Sequence, residues 1–284
     1  METSHPYEGL GLAYLKARKG SPRFAEFMIS NAGLNENGPS LPLTILELGV
    51  GSGQQTEFVE KELNARGITN YKILAYDKSH QPNNNDNPGQ LDTLVERIKR
   101  GELSERVIPV HHDFDQSSLP IDSESADLTY MAHVFHHLTS KQRVLEEIAR
   151  VTGKGNRLFI LGVTLENLRN HPLDEFFPTK YEYEKGRYPT EAQLKKMFGA
   201  AGFTYEMPFR TGPHNIRPID REFLASIEDT TIDSVLKIIE REDPTAFREG
   251  VTRVRREVEK AESSGRYRIY HSAGRLRVFW GVKQ

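Results

Sequence analysis

The stretch that most constrains this chain is Thr44–Gln55, which reads TILELGVGSGQQ. Thr44–Leu48 is apolar and β-branched enough for a buried strand. Gly49, Gly51 and Gly53 follow at alternate positions, and Thr56–Arg66 then has helical character. Glycines between a strand and a helix let the backbone take positive φ and let a ligand approach without meeting a Cβ. That is the construction of a nucleotide-cofactor loop; the competing reading is a plain tight turn. Glu47 lies inside the strand, where a charge is costly unless it has a partner.

The pattern repeats downstream. Tyr71–Asp77 is a second strand that ends in an acid, and an acid there can accept both hydrogen bonds of a ribose diol. The alternative for Asp77 is a helix cap. Ser79–Gly89 is a polar, proline-bracketed connector, and Leu91–Arg100 reads as a helix. Arg106–His112, Ala126–Ala132 and Asn156–Val163 read as three more strands, with a helix predicted over Val134–Arg150. Phe203–Phe209 reads as a sixth strand after a helix at Glu191–Ala201, and Tyr267–His271 with Leu276–Val282 as a closing antiparallel pair. Strands alternating with helices predict a doubly wound α/β sheet. Ligands in such sheets bind outside the carboxyl ends of the strands, so the glycine loop, Asp77, Asp113 and Met131–His133 can meet there.

Before the first strand, Ser21-Pro22 is a helix start signal, with Phe24, Phe27 and Met28 at helical spacing. The stretch after Phe209 has helical segments at Ile219–Ile227, Ile232–Arg241 and Phe247–Glu262, the last heavily charged on one face.

Composition narrows the chemistry. The 284 residues contain no cysteine, which removes disulfides, thiolate metal sites and cysteine nucleophiles. Lys+Arg 38 against Asp+Glu 40 is near neutral and gives no support for a general nucleic-acid or membrane-surface binder. No apolar run reaches the roughly 20 residues of a spanning helix, and the first residues lack a secretory apolar core, so a cytoplasmic location is expected.

Taken in order, these segments resemble the class I S-adenosylmethionine-dependent methyltransferases, and among them the small-molecule enzymes of the ubiquinone/menaquinone-biosynthesis type. ELGVGSG resembles the family's first motif, E/D-x-G-x-G-x-G, and AYDKS its second-strand acid. HHDFDQSSLPIDSESADLTYMAHVFHHL resembles the run from the adenine-side acid to the fourth strand. RVTGKGNRLFILGV resembles the turn before the fifth strand, and LKKMFGAAGF the approach to the sixth. The resemblance covers about residues 10–210 and the last strands.

It implies a mostly parallel, seven-stranded Rossmann-like sheet with an antiparallel last strand. It implies one methyltransferase domain over 1–284, with N-terminal lid helices at 1–43, a core at 44–209 and 266–284, and a helical insertion or cap at 210–265. The implied cofactor is S-adenosyl-L-methionine, and no metal is implied. Gly49 and Gly51 would bring backbone to the methionine moiety, with Gly53 also at the cofactor and Glu47 ordering the loop or the ammonium group. Asp77 would take the ribose hydroxyls, with Lys78 beside the adenine. Asp113 would accept from the adenine amino group, Phe114 would enclose the ring, Met131 would offer its carbonyl or side chain, and Tyr14 would close over the carboxylate.

A sulfonium donor already carries an activated methyl group, so such a protein positions, desolvates and, for a hydroxyl of high pKa, deprotonates the acceptor. The candidate bases are His136 and His133. In some related O-methyltransferases the histidine matching His136 pairs with an acid at the end of the fifth strand, where this chain has Gly162. The expected partner is a small-molecule acceptor, held by Phe176, Tyr181, Tyr188, His214 and Arg217; core packing and exposure are their competing explanations. No nucleic-acid or membrane partner is expected, and the oligomeric state is left open. Met131-Ala132-His133-Val134 does not match the Asn/Asp-Pro-Pro-aromatic loop of exocyclic-amine methyltransferases, and G-x-G-x-G fits a nicotinamide fingerprint poorly. A cofactor-binding protein without turnover, or one acting on a macromolecule, is the alternative.

Overall fold

The computed structural model describes residues 20–34, 42–81, 89–168, 171–211, 216–230, 233–271 and 276–284. These fall into two compact units. The first contains residues up to Gly162, Ala192–Phe209 and Arg277–Gln284; the second contains Val163–Glu191 and Arg210–Leu276.

The first unit is built on a sheet of β1 (Leu43–Leu48), β2 (Tyr71–Asp77), β3 (Val107–His111), β4 (Ala126–Ala132), β5 (Thr152–Gly162), β6 (Phe209–Arg210) and β9 (Arg277–Val282). The order is β3-β2-β1-β4-β5-β9-β6. β1 to β5 run parallel, with Ile45 between Ile73 and Leu128, and β9 runs antiparallel to β5. The chain leaves β1 in one direction towards β2 and β3 and returns on the other side at β4. That reversal opens a crevice above the carboxyl ends of β1 and β4. Ile45, Leu46 and Leu48 are fully buried, as a central strand covered on both faces requires.

Leu158, Ile160 and Phe279 share one core with Leu145 and Ile148 of the helix Lys141–Val151, and with Leu194 and Phe198 of the helix Glu191–Ala200. The neighbouring sheet positions carry aromatics instead. Phe159 stacks on Trp280 at 5.6 Å, and Phe27 of the helix Pro22–Asn31 stacks on Phe209 at 4.2 Å. That helix begins as expected: the Ser21 hydroxyl accepts from the Phe24 N–H at 3.2 Å, and Pro22 occupies a position whose N–H needs no partner.

The second unit has its own core. Leu173, Phe177, Phe223, Ile227, Val235, Leu236, Ile239 and Val254 come together there. They belong mainly to the helices Arg221–Glu228, Ser234–Glu242 and Pro244–Ser264. A two-stranded antiparallel sheet joins β7 (Ile216–Pro218) to β8 (Ile269–His271). Lys180 is buried among acids, 2.5 Å from Glu184 and 3.5 Å from Asp233.

Four sequence expectations change. The stretches read as a closing pair, Tyr267–His271 and Leu276–Val282, go to different sheets: β8 joins β7, whereas β9 enters the main sheet beside β5. The predicted sixth strand is regular only at Phe209–Arg210; before it, Phe203 bridges Lys283, and the Thr204 and Glu206 N–H groups donate to the Val282 and Trp280 carbonyls of β9. The predicted helix over Val134–Arg150 is a short 3-10 turn, Phe135–His137, followed by a helix from Lys141. The physical reason is Asp115, whose carboxylate accepts the N–H groups of Thr139 and Ser140 and the Thr139 hydroxyl. Those bonds hold 139–140 out of the helix and set its start. Finally, the stretch after Phe209, read as helical segments, also contains the strand β7.

Candidate functional site

The glycine turn leaves β1 with Gly49, Gly51 and Gly53 at φ of 76°, 57° and 78°. These are left-handed values that side chains resist. The N–H groups of Gly49 and Val50 both donate to the Tyr76 carbonyl, at 2.7 and 3.0 Å, so the turn folds back over the end of β2. A Cβ on Gly49 would stand 2.3 Å from Val134 Cγ2. The segment leaving β4 therefore lies against the turn, and only a glycine fits between them.

Asp77 is the last residue of β2. One carboxylate oxygen accepts the Gly51 N–H and the other the Ser79 N–H, each at 2.8 Å. Burial pushes its pKa up against these bonds. A carboxylate has about four acceptor sites, so capacity remains for a pair of hydroxyls. Lys78 reaches Asp113 at 3.6 Å, both half exposed, joining the ends of β2 and β3. Asp113 also accepts the Asp115 N–H at 3.0 Å. Phe114 is buried in the sheet's core. Met131 is fully buried there too.

Glu47 is sealed in the interior. Its carboxylate accepts from the Thr56 hydroxyl and the Tyr130 hydroxyl, both at 2.6 Å. Burial raises its pKa to about 7. It ties β1 to β4 and to the helix Gln54–Ala65 beneath the turn.

Sequence reasoning missed several supports. Tyr130 and Thr56 have no local signature as partners of Glu47. Arg97 reaches across from the helix Gln90–Lys99, donating to the Ser52 carbonyl at 2.9 Å, Glu57 at 2.7 Å and Glu102 at 2.9 Å. A periodic helix pattern marks Arg97 only as a residue of the last turn. Ser21 and Gln55 exchange two hydrogen bonds, fastening the N-terminal helix to the helix after the turn.

His133 takes φ of 61° and donates its N–H to the Leu161 carbonyl at 2.9 Å. His136 follows on the 3-10 turn with its ring 3.9 Å from that of His137. Glu47, Gly49, Gly51, Gly53, Asp77, Lys78, Asp113, Met131, His133 and His136 all belong to the first unit. Phe176, Tyr181, Tyr188 and Arg217 belong to the second. There Phe176 is part of the helical core, and the Arg217 guanidinium lies 5.4 Å above the Phe223 ring and 4.0 Å from Glu222. Tyr14 and His214 lie outside the described residues. Among the described residues, no helix is long and apolar enough to cross a membrane.

The combination tests well against an adenosyl cofactor. The glycines leave a cradle without Cβ atoms, and a carboxylate with spare acceptor capacity stands at the end of β2, bonded to that cradle. Residues 46–160 match the family model described as a methyltransferase domain. No curated protein matches the sequence. Among solved structures, the chain is similar to a putative methyltransferase from an antibiotic biosynthesis pathway of Anabaena variabilis. The TM-score there is 0.63 at 13% identity, covering 94% of this chain and 99% of that one. It is also similar to a putative methyltransferase of Bacillus halodurans, with a TM-score of 0.55, 16% identity and coverage of 91% and 98%. A third likeness is to the Haloferax volcanii complex of the Trm112 methyltransferase activator with a putative methyltransferase, at a TM-score of 0.53, 16% identity and coverage of 92% and 88%.

Proposed function

We propose that residues 46–160, which match the methyltransferase-domain model, form a class I S-adenosylmethionine-dependent methyltransferase domain, and that the protein methylates an oxygen or nitrogen of a small-molecule metabolite or natural product. The observation that supports the reading is the bond from the Gly51 N–H to the Asp77 carboxylate, which joins the glycine turn to the end of β2.

S-adenosylmethionine, when bound, supplies a methyl group on sulfonium sulfur, open to in-line displacement without help from a metal. The protein's part is to bind, orient and exclude water. Asp77 accepts from the ribose hydroxyls, and Asp113 from the adenine amino group, with Lys78 alongside. The glycine backbone receives the methionine end, and buried Glu47 holds that backbone through Thr56 and Tyr130. His136 and His133 leave the end of β4 beside the turn, where a ring nitrogen can take a proton from an acceptor hydroxyl or orient an amine. Phe176, Tyr181, Tyr188 and Arg217, with His214 and Tyr14, are assigned to the acceptor side, and the reaction to the cytoplasm.

Calorimetric titration with adenosylmethionine and adenosylhomocysteine tests the reading, followed by label transfer from methyl-labelled cofactor to a panel of phenols, amines and carboxylic acids. Saturable binding of both nucleosides and label in one acceptor class are expected. Binding of neither would overturn it, and transfer only to RNA or protein would overturn the small-molecule assignment.

A further inference from the structure

The helix Gln90–Lys99 sends three residues of one face to the glycine turn. Gln90, Leu94 and Arg97 stand four and then three positions apart, the spacing that lines side chains up along one stripe. A Cβ on Gly53 would stand 2.5 Å from Leu94 Cδ1, and one on Gly51 would stand 2.5 Å from Gln90 Oε1. Between those two glycines, the Ser52 carbonyl accepts from Arg97 at 2.9 Å. All three residues of the stripe are buried. Leu94 is satisfied by packing, and Arg97 by its three acceptors. Gln90 differs. Its backbone N–H donates to the Ser79 hydroxyl at 3.1 Å, but among the described residues its side-chain amide has no hydrogen-bond partner. Buried side-chain amides are paired as a rule, because an unpaired one is costly.

Two links set that amide beside the Asp77 carboxylate. Gly51 is one: its N–H donates to Asp77 at 2.8 Å, and Gln90 Oε1 lies against its side-chain position. Ser79 is the other: its N–H donates to the second Asp77 oxygen at 2.8 Å, and its hydroxyl accepts the Gln90 N–H. The two side chains are chemically complementary. A carboxylate only accepts, so Asp77 can take the protons of a diol but offers nothing to the lone pairs of its oxygens. The Gly51 and Ser79 N–H groups are already spent on Asp77 itself. An amide nitrogen carries two N–H donors, and that of Gln90 is uncommitted.

We propose that Gln90 binds the ribose of the cofactor, its amide donating to a hydroxyl whose proton Asp77 accepts. This rests on the adenosylmethionine reading above. The helix Gln90–Lys99 then does two things at once: Leu94 and Arg97 brace the turn, and Gln90 contacts the sugar. A hydroxyl held by a donor and an acceptor together is recognised as such, because a ligand that lacks it leaves both groups unpaired. The pair therefore selects a ribose over a deoxyribose.

The test titrates the full chain by calorimetry with adenosylhomocysteine and with its 2′-deoxy and 3′-deoxy analogues. Wild type is expected to bind both deoxy analogues about tenfold or more weaker than the parent. Gln90→Leu should weaken adenosylhomocysteine about tenfold while binding one of the two analogues as wild type does, so that the loss depends on a single hydroxyl. Gln90→Met, which also keeps the volume, carries the same comparison if Gln90→Leu does not fold. An equal loss for all three nucleosides would mean that Gln90 only braces Gly51. That result, or an unchanged affinity for adenosylhomocysteine, overturns the ribose assignment and leaves methyl transfer standing. If wild type binds none of the three, both fall.

Discussion

Tyr130 donates its hydroxyl to Glu47 at 2.6 Å, across 83 residues of chain, from β4 to the strand beside it. The two are also register partners in the sheet. Their bond makes the floor of the glycine turn a shared property of β1 and β4.

One consequence is a stability that depends on the proton at Glu47. Burial raises its pKa from 4.5 to about 7. A raised acid stabilises the fold fully below the unfolded value, and that contribution is lost as pH rises through the folded one. Wild type should therefore lose stability between pH 4.5 and 7 relative to Glu47→Gln, by up to about 3 kcal/mol at 1.36 kcal/mol per unit. Urea unfolding of both proteins across that range reads the difference, and parallel curves would refute it.

Asp77→Ala should weaken adenosylhomocysteine binding at least tenfold with the circular dichroism spectrum retained. The variant loses the diol acceptor and leaves the Gly51 N–H without its carboxylate. Calorimetry showing wild-type affinity would remove Asp77 from the site.

Gly49→Ala should cost about 2–4 kcal/mol in urea, combining left-handed strain with the clash against Val134. Val134→Ala should recover part of that in the double variant, because the two side chains share one space. Strict additivity would mean that Val134 does not press on the turn.

In the second unit, Lys180→Met should be costly at pH 8, about 3–5 kcal/mol, because it strands buried Glu184. The cost should shrink at pH 5. Burial already raises the Glu184 pKa, and with the lysine gone the carboxyl takes up a proton instead. An equal penalty at both pH values would show that charge burial is not its source.

His136→Ala should lower turnover far more than adenosylhomocysteine affinity. Full activity would remove it as a base and leave it as part of the 3-10 turn.

The sheet and its cradle were legible because they follow from local rules. A buried strand such as Leu43–Leu48 is an apolar run, and glycines at alternate positions announce positive φ. The supports of the cradle were not legible. Tyr130, Arg97 and Asp115 act on residues 83, 45 and 24 positions away, and no spacing rule reaches that far. Asp115 also cut the predicted helix after β4 short, since a run of apolar residues at helical spacing does not reveal that a distant carboxylate has claimed its first amides. The misjoined closing pair has the same origin. Tyr267–His271 and Leu276–Val282 look like a hairpin locally, but β5 needs a partner on its open side, and Arg277–Val282 supplies it.

That placement of β9 between β5 and β6 sets an order for biosynthesis. β5 ends at Gly162, yet the strand that covers its edge ends at Val282, with the whole of the second unit encoded between them. On the ribosome, β5 waits as an uncapped edge through the whole of that interval, and uncapped edges recruit other strands. Early folding of the residues in between would shield that edge until Val282 has emerged.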